Sequence, residues 1–209
     1  MSKIPGMIGR KIGMTHVFTE DGDQVATTVL EVGPCTVLQK KTVEKEGYNA
    51  LQLGFAPKPA HRLKMPERGH CRKAGVEHGF YCIKEIKVAD PDAFEVGQVL
   101  TLADLDIRSL VDITGVSKGR GFSGTIKRHG FSRGPMGHGS KHHRQMGSIG
   151  MCAWPSKIIK GKRMPGRYGG RRTTVKNSMV VDVRPEENLL LVKGSVPGAV
   201  NQFVVLRCK

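Results

Sequence analysis

ITGVSKGRGFSGTIKRHGFSRGPMGHGSKHHRQMGSIGMCAWPSKIIKGKRMPGRYGGRRTTVKNSMVV, residues 113–181, runs for 69 residues without one aspartate or glutamate. It holds 15 of the 34 lysines and arginines, whereas the other 140 residues carry 19 cations and all 18 acids. Nearly the whole formal charge of +16 therefore sits in one third of the chain. A stretch this cationic and rich in glycine repels itself and has too little apolar surface to offset the entropy of ordering its backbone. It calls for a polyanion to hold it in shape, and nucleic acid is the first candidate.

Outward from this stretch the chain reads as β-structure. THVFTEDGDQVATTVLEV is two strand-like runs around EDGD, a hairpin signal with Asp21-Gly22 at its tip. TVLQKKTV, YNALQLGF, FYCIKEIKV and VGQVLTL follow, and MVVDV, NLLLVKG and FVVLRC come after the basic stretch. The predicted fold class is mainly β: short strands separated by turns suggest an all-β barrel or sandwich, with a long, basic, Gly-rich extension inserted between strands. The globular part is assigned to 1–112 and 182–209, the extension to 113–181. Because strands precede and follow it, the extension leaves the domain and returns as a two-legged finger, each half reaching on the order of 100 Å if fully stretched.

The length suffices for a real core. No apolar run approaches the roughly 20 residues of a membrane span, and the start, MSKIPGMIGRKIGM, reads as neither a signal nor a transit segment. Cys35, Cys71, Cys82, Cys152 and Cys208 are odd in number and form no CxxC pair, as expected of reduced cytosolic thiols.

Within the extension, Lys118, Arg120, Lys127, Arg128, Arg133, Lys141, Arg144, Lys157, Lys160, Lys162, Arg163, Arg167, Arg171 and Arg172 are candidate phosphate ligands. The arginines can fork onto phosphate and the lysines act as point charges. His142 and His143 are candidates for stacking on bases or donating to phosphate and ribose. Of the aromatic residues, Phe122 is read as an anchor to the protein itself, while Phe131, Trp154 and Tyr168 divide evenly between anchoring and base stacking. A second basic patch lies in KPAHRLKMPERGHCRK, with Lys58, Arg62, Lys64, Arg68, Arg72 and Lys73 against one acid, and a short helix is predicted from Pro66.

Other chemistries fit poorly. Gly119-Arg120-Gly121-Phe122-Ser123-Gly124 matches G-x-G-x-x-G, but no acid follows until Asp182 and TIKRHGFSRG does not open a convincing helix. His138, His142, His143 and Cys152 lack the glutamate of a zinc-protease helix, and an acid-free segment offers no carboxylate base. No metal, cofactor or catalytic residue is expected. An RNA chaperone or translation factor and a nucleic-acid enzyme are the competing readings; the enzyme lacks a carboxylate cluster for metal.

Leu105, Asp112, Gly115, Ser117, Gly119-Arg120-Gly121, Gly124 and Arg128 fall at spacings that resemble the signature of the ribosomal protein L-three family. IGRKIGMTHVFTEDG, HGSKHHRQMGSIG, GKRMPGRYG and NLLLVKGSVPG extend the resemblance over nearly the whole chain. It implies a cytoplasmic constituent of the large ribosomal subunit that binds 23S ribosomal RNA and helps nucleate assembly. It also implies a closed β-barrel on the outer side, neighbours that include proteins L-fourteen and L-nineteen, and an extension reaching towards the peptidyl transferase centre. By the same resemblance Gly147, Ser148, Ile149 and Gly150 form the tip motif, followed here by Met151 and, further on, Trp154. Some bacterial members carry a methylated glutamine directly after that motif, a modification that Met151 excludes.

Overall fold

The computed structural model describes residues 3–107 and 109–208. Met1, Ser2, Arg108 and Lys209, which the domain reading of 1–112 and 182–209 includes, lie outside the described residues. The strands in chain order are β1 (Gly6–Phe18), β2 (Gln24–Val32), β3 (Cys35–Lys41), β4 (Ala50–Lys58), β5 (Gly79–Lys87) and β6 (Val99–Leu100), then β7 (Leu110–Val116), β8 (Phe122–Ser123), β9 (Gly166–Arg167), β10 (Arg172–Arg184), β11 (Leu189–Lys193) and β12 (Phe203–Cys208). Among the described residues three short α-helices accompany them, α1 (Val43–Glu46), α2 (Met65–Lys73) and α3 (Thr125–His129), with three single 3-10 turns.

The chain divides into two compact units, one made of 1–117 and 172–209 and the other of 118–171. In the first, six strands close into an antiparallel barrel in the order β1-β12-β7-β10-β11-β2. Closure depends on pairings distant in sequence: Gly6 faces Arg207, Val116 faces Arg172, and Leu189 faces Glu31. Because β7 and β10 are barrel strands, both ends of the acid-free stretch belong to the barrel. Ile113 is fully buried and pairs with Val175 and Leu206. The acid-free stretch is thus longer than the second unit, since charge composition registers neither β-pairing nor burial.

Beside the barrel lies a separate four-stranded sheet in the order β5-β4-β3-β6. β-rich runs bounded by turn residues identify its strands but not which sheet they join. One apolar core serves both. Met7, Ile8, Leu30, Ile113, Val192 and Leu206 from the barrel cluster with Val37, Leu51, Leu53 and Ile86 from the sheet. α2 covers a smaller cluster in which Cys71 and Ala74 pack with Leu38 and Phe80. Gly54 is required there, because a Cβ would lie 2.5 Å from the Phe80 ring.

The local signals are legible. Thr19–Asp23 turns the β1–β2 hairpin, with Gly22 at φ 86° and the Thr19 amide donating to the Asp23 carbonyl at 2.9 Å. The helix predicted from Pro66 begins one residue earlier, at Met65, and Glu67 accepts from the Lys64 amide at 3.2 Å to satisfy its open end. TIKRHGFSRG does open a helix, contrary to expectation. Five residues, Thr125–His129, wind one turn and stop at Gly130, whose φ of 70° ends the helix in the left-handed conformation. The turn is too short for periodicity to reveal. No disulfide forms among the described residues.

Candidate nucleic-acid interface

The second unit, 118–171, has no conventional core. Among its described residues only Ser123 and Thr125 are buried, at 4% exposure each, and both are polar. Its two chain ends are joined by main-chain bonds instead. β8 pairs antiparallel with β9, the Arg120 amide donates to the Tyr168 carbonyl at 2.8 Å, and the Tyr168 amide donates to the Gly121 carbonyl at 2.9 Å. Gly169 makes this closure possible: its φ is 70°, and a Cβ would collide with the Lys118 carbonyl oxygen.

A second clasp lies further along. α3 presents Arg128 and His129 to the returning strand, where Nη1 of Arg128 donates to the Met164 carbonyl at 2.7 Å and Nε2 of His129 donates to the same oxygen at 3.0 Å. A third closes beyond it, where the Gly134 amide donates to the His143 carbonyl and the His143 ring nitrogen Nδ1 to the Pro135 carbonyl, each at 3.1 Å. Arg128 and His143 are therefore half-buried parts of the framework. Sequence reasoning assigned both to RNA and passed over His129, since nothing in a local pattern reveals a partner 35 residues away.

The remaining candidates face solvent. Lys118, Arg120, Lys127, Arg133, Lys141, His142, Arg144, Lys157, Lys160, Lys162, Arg163, Arg167 and Arg171 are exposed. No acid exists within 118–171 to neutralise any of them. Arg172 is also exposed, on β10 of the first unit. Gly147, Ser148, Ile149 and Gly150, with Met151 and Cys152, line an open depression of about 530 Å³ closed on its other side by Ser156–Ile158. Ser148 Oγ donates to the Gly150 carbonyl at 2.8 Å across its floor.

Met151 is 73% exposed and Trp154 86%, so neither serves as an internal anchor. Phe122 was expected to be one; it is 80% exposed instead, because in β8 the neighbouring Ser123 takes the inward position. No group of three or more His, Cys, Asp or Glu able to hold a metal forms among the described residues. No described helix is long and apolar enough to cross a membrane.

In the first unit, Arg62, Lys64, Arg68, Arg72 and Lys73 of the second patch are exposed on and before α2. Lys58 differs: Nζ pairs with Glu67 at 2.9 Å, and this contact holds the Glu67 carboxyl below the usual carboxylate range. Arg62 reaches the Tyr81 hydroxyl at 3.4 Å. Lys58 is thus committed to Glu67, on which the charge of Lys64 also acts, and Arg62 makes only a weak hydroxyl contact.

The chain is similar along almost its full length to known proteins. A model of the family described as Ribosomal protein L3 matches residues 75–188. The large ribosomal subunit protein uL3 of Desulforudis audaxviator is 50% identical over 202 residues, covering 97% of this chain and 94% of that protein. The protein of the same name from Thermotoga maritima is 53% identical over 201 residues, covering 96% and 95%, and that of Desulforapulum autotrophicum 52% over 193, covering 92% and 93%. Matches of this identity and extent show that the chain belongs to the ribosomal protein L3 family.

Proposed function

We propose that this protein is a structural constituent of the large ribosomal subunit in the cytoplasm and that it binds 23S ribosomal RNA without catalysing a reaction. The observation that carries the reading is the second unit: 13 cations, no acid and no buried apolar side chain in 118–171. Such a segment is stabilised when phosphates replace the mutual repulsion of its charges, and each phosphate contact releases counterions. The exposed cations from Lys118 to Arg171 are the phosphate ligands, and those of α2 form a second contact. Arg128, His129 and His143 shape the backbone that presents them.

In this reading 118–171 is the finger that enters the RNA. Its depression at 147–158 lies at the far end, near the peptidyl transferase centre, where it braces RNA. With no carboxylate there, it performs no proton transfer on a substrate. Early RNA binding lets the protein help nucleate assembly beside proteins L-fourteen and L-nineteen. Tagged protein should remain on large subunits through a high-salt wash, and crosslinks from 118–171 should fall on 23S RNA. Release in the wash would point to a translation factor, and crosslinks confined to protein would overturn the RNA assignment.

A further inference from the structure

We infer that the outer half of the β1–β2 hairpin is a docking face for a second protein, one presenting an apolar patch rimmed by lysine and arginine. Pairing of β1 with β12 ends at Arg10, and pairing of β2 with β11 begins at Thr27. Beyond these pairings 16–18 and 24–26 pair with each other as a two-stranded tip, about 10 Å long at the strand rise, while 13–15 pair with 27–29 at the barrel edge. A bulge between Lys11 and Gly13 sets its register.

Strand alternation then places Met14, His16 and Phe18 on one side, joined across the ribbon by Ala26, the partner of His16. Met14 is 52% exposed and Phe18 65%, and Ile12, in the bulge, is 42% exposed. The His16 and Phe18 rings pack edge to face, 5.6 Å between centroids, which gives the stripe a defined shape. Exposed apolar side chains grouped on one face of a ribbon mark an interaction site more readily than scattered ones do.

Charge identifies the occupant. Residues 12–39 contain no lysine or arginine, the reverse of the acid-free stretch, and Glu20, Asp21 and Asp23 crowd the hairpin turn. The preceding cations are turned to other work. Lys11 is buried with Nζ on the Val196 carbonyl at 2.9 Å, and Arg10 forks onto Glu31, with Nη2 at 2.6 Å. An RNA backbone would meet three carboxylates at the turn against one exposed cation at the ribbon's base, Lys193 opposite Thr27. A second copy docking the same face symmetrically would set the three acids against themselves. A basic protein surface with an apolar centre satisfies both the stripe and the turn.

The inference rests on the ribosomal reading, and the test separates the two. A photocrosslinking amino acid is placed at Phe18 in the full chain, large subunits are purified, and the adduct is mapped. The expected adduct lies on a protein segment whose apolar residues are flanked by Lys and Arg. In a second preparation the crosslinker stays at Phe18 while Met14→Ser and Glu20→Lys with Asp21→Lys are added; the adduct should fall on the order of tenfold or more. Because all three changed side chains are exposed, thermal melting should be unchanged. Adducts on RNA, on another copy of this chain, or on a protein surface without that pattern overturn the inference, as does an adduct insensitive to the substitutions. Failure of the chain to enter large subunits at all defeats the ribosomal reading instead.

Discussion

Replacing 134–155 with a short Gly/Ser bridge should leave the first unit as stable as before. The span contains no buried side chain. Its hydrogen bonds from the Gly134 amide to the His143 carbonyl, from His143 to Pro135 and from Ser148 to Gly150 begin and end inside it. The one that crosses its edge, from the Ser156 hydroxyl to the Ala153 carbonyl, joins neighbouring residues of the second unit. The clasp of Arg128 and His129 on Met164 and the β8–β9 pair lie outside and survive. The remaining term is loop closure. Replacing 22 of the 54 residues of 118–171 by the bridge leaves roughly two thirds of the excursion and changes that entropy by less than about 0.6 kcal/mol, in the stabilising direction. For a domain of this size the corresponding shift in melting temperature is at most about 2 °C.

The contrasting variant is Ile113→Ala, at a fully buried position on β7, which should cost about 2–5 kcal/mol and lower the melting temperature by roughly 4–20 °C. Calorimetry and urea unfolding of both proteins decide the matter. A bridged variant that loses more than about 2 kcal/mol, or does not fold, would refute the claim that 134–155 contributes nothing to the core. Folded bridged protein should still join large subunits, more weakly, and should slow peptidyl transfer or alter drug response. Normal behaviour in both would remove the role assigned to the depression at 147–158.

Binding to ribosomal RNA should fall steeply with salt. Engagement of about ten phosphates gives a slope of roughly −7 to −9 in log K against log salt, and a slope shallower than about −2 would mean that the charge serves solubility. Thiol alkylation at pH 8 should reach exposed Cys152 first, while burial, which pushes Cys35 up to about 12 and raises Cys71 and Cys82, keeps those three unmodified until the protein unfolds. Equal labelling rates in native protein would contradict that burial. Gly169→Ala should open the β8–β9 closure, because its left-handed backbone and the nearby Lys118 carbonyl leave no room for a Cβ. Amide exchange should accelerate at Arg120 and Tyr168 but not in β1 or β12; unchanged exchange at those two amides would show that the closure does not need glycine. In RNA-free protein, exchange should be fast through 131–164 and slow in the barrel, and slow exchange throughout would reveal a self-supporting second unit.

Charge segregation needs no folding to be seen, because net charge adds along the chain whatever its conformation. That is why 113–181 points to a polyanion, and Asp21-Gly22 and the β-rich runs of β3, β4, β5 and β12 read as hairpin and strands because turn and strand signals are local. Partner choice is different in kind, since a strand's period says which faces are apolar and nothing about which distant strand lies alongside. Only the tertiary structure joined β1 to β12, drew β7 and β10 from both ends of the acid-free stretch into the barrel, and set β3 to β6 apart as a second sheet. The same reason divides the candidate residues. Arg120 and Lys157 remain exposed cations, as composition alone requires of most charges. Arg128 and His143 became framework, and Phe122 turned outward, because carbonyls and a neighbouring serine that no local pattern announces decided where those side chains could lie.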